Sequence, residues 1–167
     1  SPMVSEKGNQ TTLCPCFIRE IGMNRQAHIT TGALVGTLTG LVTGNPYIGL
    51  VAGAIGGYIP DIDHPGSFLG FLVGHRTITH KVEFVLAVSL VAAVAGSIFG
   101  LQWVIGLSLF VGGISHLLLD ACTKSGIQPF LFLPFRLSGP LRSGNILIEV
   151  PLSILFLLCT CRILGVF

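Results

Sequence analysis

Histidine and aspartate side chains concentrate in three short clusters of an otherwise apolar chain. The clusters are residues 60–64 (PDIDH), 75–80 (HRTITH) and 115–120 (SHLLLD). Ionisable groups are costly inside an apolar protein, so such a concentration marks a functional site. Imidazole and carboxylate groups together are ligands that divalent metals favour. The sequence therefore predicts a metal site.

The spacing within each cluster is compatible with a metal site, although each has a simpler explanation. His116 and Asp120 are four residues apart, so on a helix they share one face and can share an ion. A hydrogen-bonded His–Asp pair explains them equally well. Asp61 and Asp63 lie between two prolines, in a segment that could also be a solvated loop at a helix end.

The second cluster places two histidines five residues apart, His75 and His80, with Arg76 between them. The alternative is a polar N-terminal cap for the next helix, with Thr77 or Thr79 as the capping residue. Capping alone explains two histidines poorly, and it is compatible with metal binding.

Together these residues offer ligands for one or two divalent ions. The candidate ligands are His28, Asp61, Asp63, His64, His75, His80, His116 and Asp120. Mixed nitrogen and oxygen ligation favours Zn, with Mn, Fe, Ni or Mg as alternatives.

A bound ion could lower the pKa of a water ligand to about 7 and so create a nucleophile. Arg76 would then neutralise an anionic oxygen in the transition state. Glu149 is a candidate general base, or a group that supports the ligands. As an alternative, its carboxylate stabilises the start of a helix through the helix dipole.

Composition indicates a membrane protein. Charged residues make up only 10% of the 167 residues, whereas soluble proteins have about 25%. Hydrophobic residues reach 51%, and the mean hydropathy is +0.83. The formal net charge of +2 is too small to suggest a nucleic-acid partner. The expected partners are the lipid bilayer and an amphiphilic substrate, and the sequence leaves the oligomeric state open.

Five apolar runs cover roughly residues 29–44, 46–60, 82–100, 101–119 and 146–166. The last three are long enough to cross the hydrocarbon core of about 30 Å, and the first two are shorter. The expected fold is all-α, a polytopic membrane helix bundle of about five apolar helices. In an up-and-down path, the starts of odd helices and the ends of even helices share one membrane face. The candidate ligands should therefore form a polar metal site at one end of the bundle.

Basic residues indicate which end faces the cytoplasm. Eight of the nine lysines and arginines lie on the side of the clusters, and only Arg162 lies toward the other side. By the positive-inside rule, the site of this multi-pass inner-membrane protein should face the cytoplasm. Residues 1–22 are expected to be an N-terminal extension or a tag-derived tail, and residues 23–167 a single membrane-embedded domain.

The motifs resemble those of the YdjM-like family, described as inner-membrane-associated, metal-dependent hydrolases. The resemblance rests on residues 60–65 with 67–70, on 75–80, on 115–120 with Thr123 and Gly126, and on an N-terminal histidine matching His28. A Pro-Phe-rich loop at 129–144 followed by Glu149 also matches. The resemblance covers about residues 23–150 and implies a metal-dependent hydrolase domain. Lys81 stands where the family often has serine, which implies a different preference for substrate charge.

Three functions fit these residues. The first is a membrane-embedded hydrolase that uses a metal-activated water on an amphiphilic phosphoester, such as a phospholipid or a polyprenyl phosphate. Its residues are similar to those of zinc-dependent phospholipase C sites. The alternatives are a metal transporter, which would need polar groups near mid-membrane, and a metal-binding structural or partner-binding membrane protein.

Overall fold

The computed structural model describes residues 25–63, 78–98, 103–142 and 145–166. The regular secondary structure of these parts is helical, and residues 122–142 form a loop. The helices are α1 (Arg25–Thr43), α2 (Pro46–Tyr58), a 3-10 helix (Ile59–Asp63), α3 (Val82–Ile98), α4 (Val104–Ala121) and α5 (Ile146–Ile163). The described parts hold no β-strand, only two isolated bridges in the loop after α4. The all-α prediction is confirmed.

Helix α1 is longer than the sequence predicted, because it begins at Arg25 rather than near residue 29. Arginine, glutamine and alanine all have high helix propensity, so the polar start of this segment is helical although it is not apolar. As a result, His28 lies in the first turn of α1. Its side chain points into the protein and is only 2% exposed.

A tight turn joins α1 to α2 at Gly44, Asn45 and Pro46, residue types that are typical of turns. Gly44 has a φ of 85°, in the left-handed region that glycine adopts without strain. The Asn45 N–H donates to the Gly40 carbonyl at 2.6 Å, and Pro46 occupies the first turn of α2. The two helices therefore run antiparallel.

Helix α2 contacts both α1 and α4 through backbone atoms. A methyl group added at Gly36 would overlap the carbonyl oxygen of Gly49, and one at Gly53 would overlap that of Gly32. On the other side of α2, a methyl group at Gly112 of α4 would overlap the Gly53 carbonyl. Such close approach is typical of helix packing in lipid. It also brings the polar ends of these three helices together.

Two described helices, α4 and α5, are long and apolar enough to cross a membrane. Helix α3, which the sequence predicted as a third span, is an apolar helix of 17 residues and falls just short of that criterion. Helix α4 packs against α1, α2 and α3, whereas α5 buries only Glu149 and Thr160. The apolar surface of α5 suits contact with lipid, because a helix satisfies its own backbone hydrogen bonds in the hydrocarbon core.

Candidate metal centre

Four segments bring five of the predicted side chains to one end of the helices. His28 comes from the start of α1, Asp61 from the 3-10 helix and His80 from the segment before α3. His116 and Asp120 come from the last two turns of α4. The end of an even helix and the start of an odd one meet here, as the up-and-down order of the helices requires.

The Asp120 carboxylate lies at the centre of this group. Its Oδ1 is 3.4 Å from Nε2 of His28. Its Oδ2 is 3.4 Å from Nε2 of His80 and 3.5 Å from Nε2 of His116. All four side chains are 3% exposed or less. Three imidazole rings therefore direct the same nitrogen atom toward one buried carboxylate.

Asp61 adds a second carboxylate on the outer side of the group. Its Oδ1 is 3.8 Å from Nε2 of His80 and 3.7 Å from Nε2 of His116. Its side chain is 18% exposed, unlike those of the histidines and of Asp120. Among the described residues, the group is most accessible on the side of Asp61.

These separations fit ligands of a common ion. Two ligands of a tetrahedral ion, each about 2.0–2.1 Å from it, lie about 3.3 Å apart. The measured nitrogen-to-oxygen separations of 3.4–3.8 Å are close to that value and are long for hydrogen bonds. Two sets of ligand atoms lie within 4.8 Å of one another: those of His28, His116 and Asp120, and those of Asp61, His80 and His116. The donor set suits a divalent metal with mixed nitrogen and oxygen ligation.

Hydrogen bonds at Nδ1 leave Nε2 of two histidines available as a ligand. The Nδ1 of His116 lies 2.7 Å from the Gly57 carbonyl, which can only accept, so Nδ1 carries the proton. The Thr79 hydroxyl donates to Asp63 at 2.5 Å, so its oxygen can accept from Nδ1 of His80 at 3.2 Å. Partners of this kind fix the tautomer of metal-binding histidines.

Ring packing holds His28 beside His116. The two rings are stacked, with centroids 3.7 Å apart and planes inclined by 20°. Nδ1 of His28 has no hydrogen-bond partner among the described residues. The orientation of His28 is therefore set by stacking and by its contact with Asp120, not by a hydrogen bond at Nδ1.

Comparison with known proteins places the chain in a family. Residues 23–165 match the model of the YdjM inner membrane protein family. The chain belongs to this family. It is also 31% identical over 131 residues to the uncharacterized protein YvsG of Bacillus subtilis (strain 168). That alignment covers 71% of this chain and 79% of the relative. No solved structure matches the chain.

The remaining candidates of this YdjM family member lie elsewhere or outside the described residues. Asp63 is fully buried but belongs to neither set of clustered ligand atoms, and it accepts the hydrogen bond from Thr79 instead. Glu149 is buried near the start of α5 and also belongs to neither set. The predicted ligands His64 and His75 and the predicted catalytic Arg76 lie outside the described residues.

Sequence reasoning missed two groups that orient the candidate ligands. Thr79 was considered only as a helix cap, yet its hydroxyl links Asp63 to His80. Its position directly before His80, a candidate ligand, could have indicated this role. The Gly57 carbonyl, which orients His116, gave no signal, because a backbone acceptor at a glycine has no signature in sequence.

Proposed function

We propose that this YdjM family protein is a metal-dependent hydrolase of the inner membrane, acting on an amphiphilic phosphoester. The observation that carries the proposal is the convergence of three imidazole Nε2 atoms on the buried Asp120 carboxylate, with Asp61 beside them. A buried carboxylate surrounded by three histidines is explained more simply by a shared cation than by a fold requirement, because burying ionisable groups destabilises an apolar protein.

One ion accounts for the cluster, and its mixed nitrogen and oxygen ligands suit zinc. Both sets of ligand atoms contain His116, whose Nδ1 is already bonded to Gly57. Its single remaining nitrogen can bind only one ion. We therefore assign His28, Asp61, His80, His116 and Asp120 to one centre. Asp63 supports His80 through Thr79, and His64 and His75 stay proposed ligands.

A bound divalent ion would polarise a phosphoryl oxygen and acidify a coordinated water. The chain supplies the other requirements of hydrolysis. Asp61 is the partly exposed ligand, so the substrate approaches from its side. Arg76 would stabilise negative charge on the phosphoryl oxygens, and Glu149 would act as a proton acceptor or as a support for the ligands.

The membrane setting defines the substrate class. In the proposed topology, residues 23–167 form one polytopic domain of about five helices, with α1 and α2 as a short hairpin. The distribution of basic residues along the chain supports a cytoplasmic orientation of the site by the positive-inside rule. A site at the end of apolar helices is reached most easily by a molecule with a polar head and an apolar tail, such as a phospholipid or a polyprenyl phosphate.

Metal content and hydrolysis together test the proposal. Protein purified without chelator should contain about one zinc or other divalent ion per chain, measured by elemental analysis. Asp120→Ala should lose this metal, whereas Glu83→Gln, a carboxylate outside the ligand sets, should retain it. The wild type should hydrolyse phospholipid, polyprenyl phosphate or a chromogenic phosphodiester, and Asp120→Ala should not.

Two variants separate catalysis from metal binding. Glu149→Gln and Arg76→Ala should keep the metal but lower kcat. Full metal content in Asp120→Ala would contradict the assigned centre. Wild-type protein that holds metal but hydrolyses none of the three substrates would contradict the hydrolase. Metal uptake into proteoliposomes that His116→Ala abolishes would indicate transport instead.

A further inference from the structure

The loop after α4 exposes a continuous apolar segment. Residues 130–135 read FLFLPF, and we call them the apolar tip. Phe132 is 84% exposed, Leu133 59% and Phe135 54%. Large apolar side chains grouped at a surface mark a site that contacts another apolar phase.

The apolar tip is held in place by the loop around it. Ile127 and Leu137 exchange backbone hydrogen bonds of 2.8 and 2.9 Å, which close the base of the loop. The Ile127 side chain is buried in the core with Val85 and Leu117. The apolar tip is therefore exposed on an ordered loop, because the base of that loop is part of the packed protein.

Two side chains beside the metal centre tie the loop to the start of α3. The Lys81 ammonium group, next to His80, donates to the Gln128 carbonyl at 2.7 Å. The Glu83 carboxylate accepts from the Leu131 N–H at 3.1 Å. Lys81, which the sequence suggested as a determinant of substrate charge, thus has a role in holding the loop. The apolar tip lies at the end of the bundle that carries the metal centre.

The ends of the loop are basic. Lys124, Arg136 and Arg142 are exposed, and residues 122–142 contain no aspartate or glutamate. Apolar side chains flanked by exposed cations match the chemistry of an anionic bilayer surface, where acyl chains lie beneath phosphate groups. A soluble protein partner would not be expected at this level, because the loop directly follows a helix long and apolar enough to span the bilayer.

We propose that the apolar tip inserts into the boundary between headgroups and acyl chains of the leaflet on the side of the metal centre. Lys124, Arg136 and Arg142 then lie at the phosphate groups of anionic phospholipids. The inference uses the membrane location of the family and does not depend on hydrolase activity. It makes this loop a second membrane contact, distinct from the spanning helices, beside the metal centre.

Tryptophan fluorescence in vesicles tests the insertion. The chain has one tryptophan, Trp103, at the start of α4, so Trp103→Phe gives a dark background. Phe132→Trp and Leu133→Trp are then introduced separately into the full chain, in phosphatidylcholine vesicles with and without phosphatidylglycerol. Both probes should be protected from aqueous acrylamide. They should be quenched more by lipids brominated near the headgroup than by lipids brominated near the chain end, because interfacial segments insert only about 5–10 Å.

Ser138→Trp, an exposed position of the same loop outside the apolar tip, provides the reference for an aqueous probe. Acrylamide quenching of Phe132→Trp and Leu133→Trp equal to that of Ser138→Trp, with no effect of bromine, would overturn the proposal. Protection from both acrylamide and bromine would also overturn it, since a second copy or another segment of the chain would then cover the tip. Weaker acrylamide quenching of the two probes with phosphatidylglycerol than without it would support binding of the basic side chains to anionic lipid.

Discussion

The rings of His28 and His116 are stacked, with centroids 3.7 Å apart, and both direct Nε2 toward the carboxylate of Asp120. One ring comes from the start of α1 and the other from near the end of α4. The stacking therefore fixes the relative position of two helix ends as well as two potential ligands. His116 also bonds to the Gly57 carbonyl of α2, so a single side chain contacts both other helices of the glycine-lined core.

We predict that His116→Ala weakens metal binding more than His28→Ala does. His116 belongs to both sets of ligand atoms, whereas His28 belongs to one. The loss of affinity in His116→Ala should exceed the roughly 10–100-fold effect typical of residues that only support a ligand. Competition with a zinc-binding indicator measures both affinities, and circular dichroism checks that both variants remain helical. Equal affinities in the two variants would contradict the central position of His116.

We predict that Asp63 and Thr79 act on the metal through a single chain of hydrogen bonds. Asp63→Ala and Thr79→Val should each lower affinity by about 10–100-fold without abolishing binding, because His80 loses its orientation but not its nitrogen. In the double variant the losses should not add, since either change breaks the same chain. Additive losses, measured with the same indicator, would show that the two residues act independently.

We predict that acidification releases the metal before the protein unfolds. A coordinating imidazole must be deprotonated, so protons compete with the ion for its histidine ligands. Below about pH 6 the affinity should therefore fall by well over tenfold per pH unit. Metal content after equilibrium dialysis at several pH values gives the slope. Far-UV circular dichroism of the same samples should stay constant, and a parallel loss of helix would assign the release to unfolding.

We predict that Gly53→Ala destabilises the bundle by about 1–3 kcal/mol, because the added methyl group would overlap the backbone of α1. The midpoint of thermal unfolding in detergent should fall accordingly. Val51→Ala, on the same helix but 57% exposed, is the matched control and should change stability by less than about 0.5 kcal/mol. Equal stability of the two variants would mean that α1 and α2 can separate without cost.

Much of the fold followed from the sequence, because long apolar runs and Gly-Asn-Pro turns act locally. The predicted runs and the observed helices differ by only a few residues at most ends. The start of α1 differs more, since Arg25 to Ala27 are helical by propensity rather than by hydropathy. The number of membrane spans could not be read from the sequence, because span length depends on where each helix ends.

The sequence predicted which part of the fold holds the candidate site, but not which side chains lie at its centre. Helix order alone predicted that His28, His80 and Asp120 would share one end, and the structure brings them together there. It could not distinguish Asp61 from Asp63, because a 3-10 helix directs residues two positions apart to different surroundings. Asp61 faces the histidines, whereas Asp63 faces Thr79. Contacts of this kind depend on tertiary packing, which residue spacing does not encode.

The glycine contacts between α1, α2 and α4 have a practical consequence for engineering. The spacing of these helices is set by contacts between their backbones, and the candidate ligands His28 and His116 lie at the ends of that rigid frame. Exposed apolar side chains, such as Val51 and Leu90, take no part in these contacts. The outer surface could therefore be redesigned for a bilayer of another thickness or composition without retuning the coordination geometry.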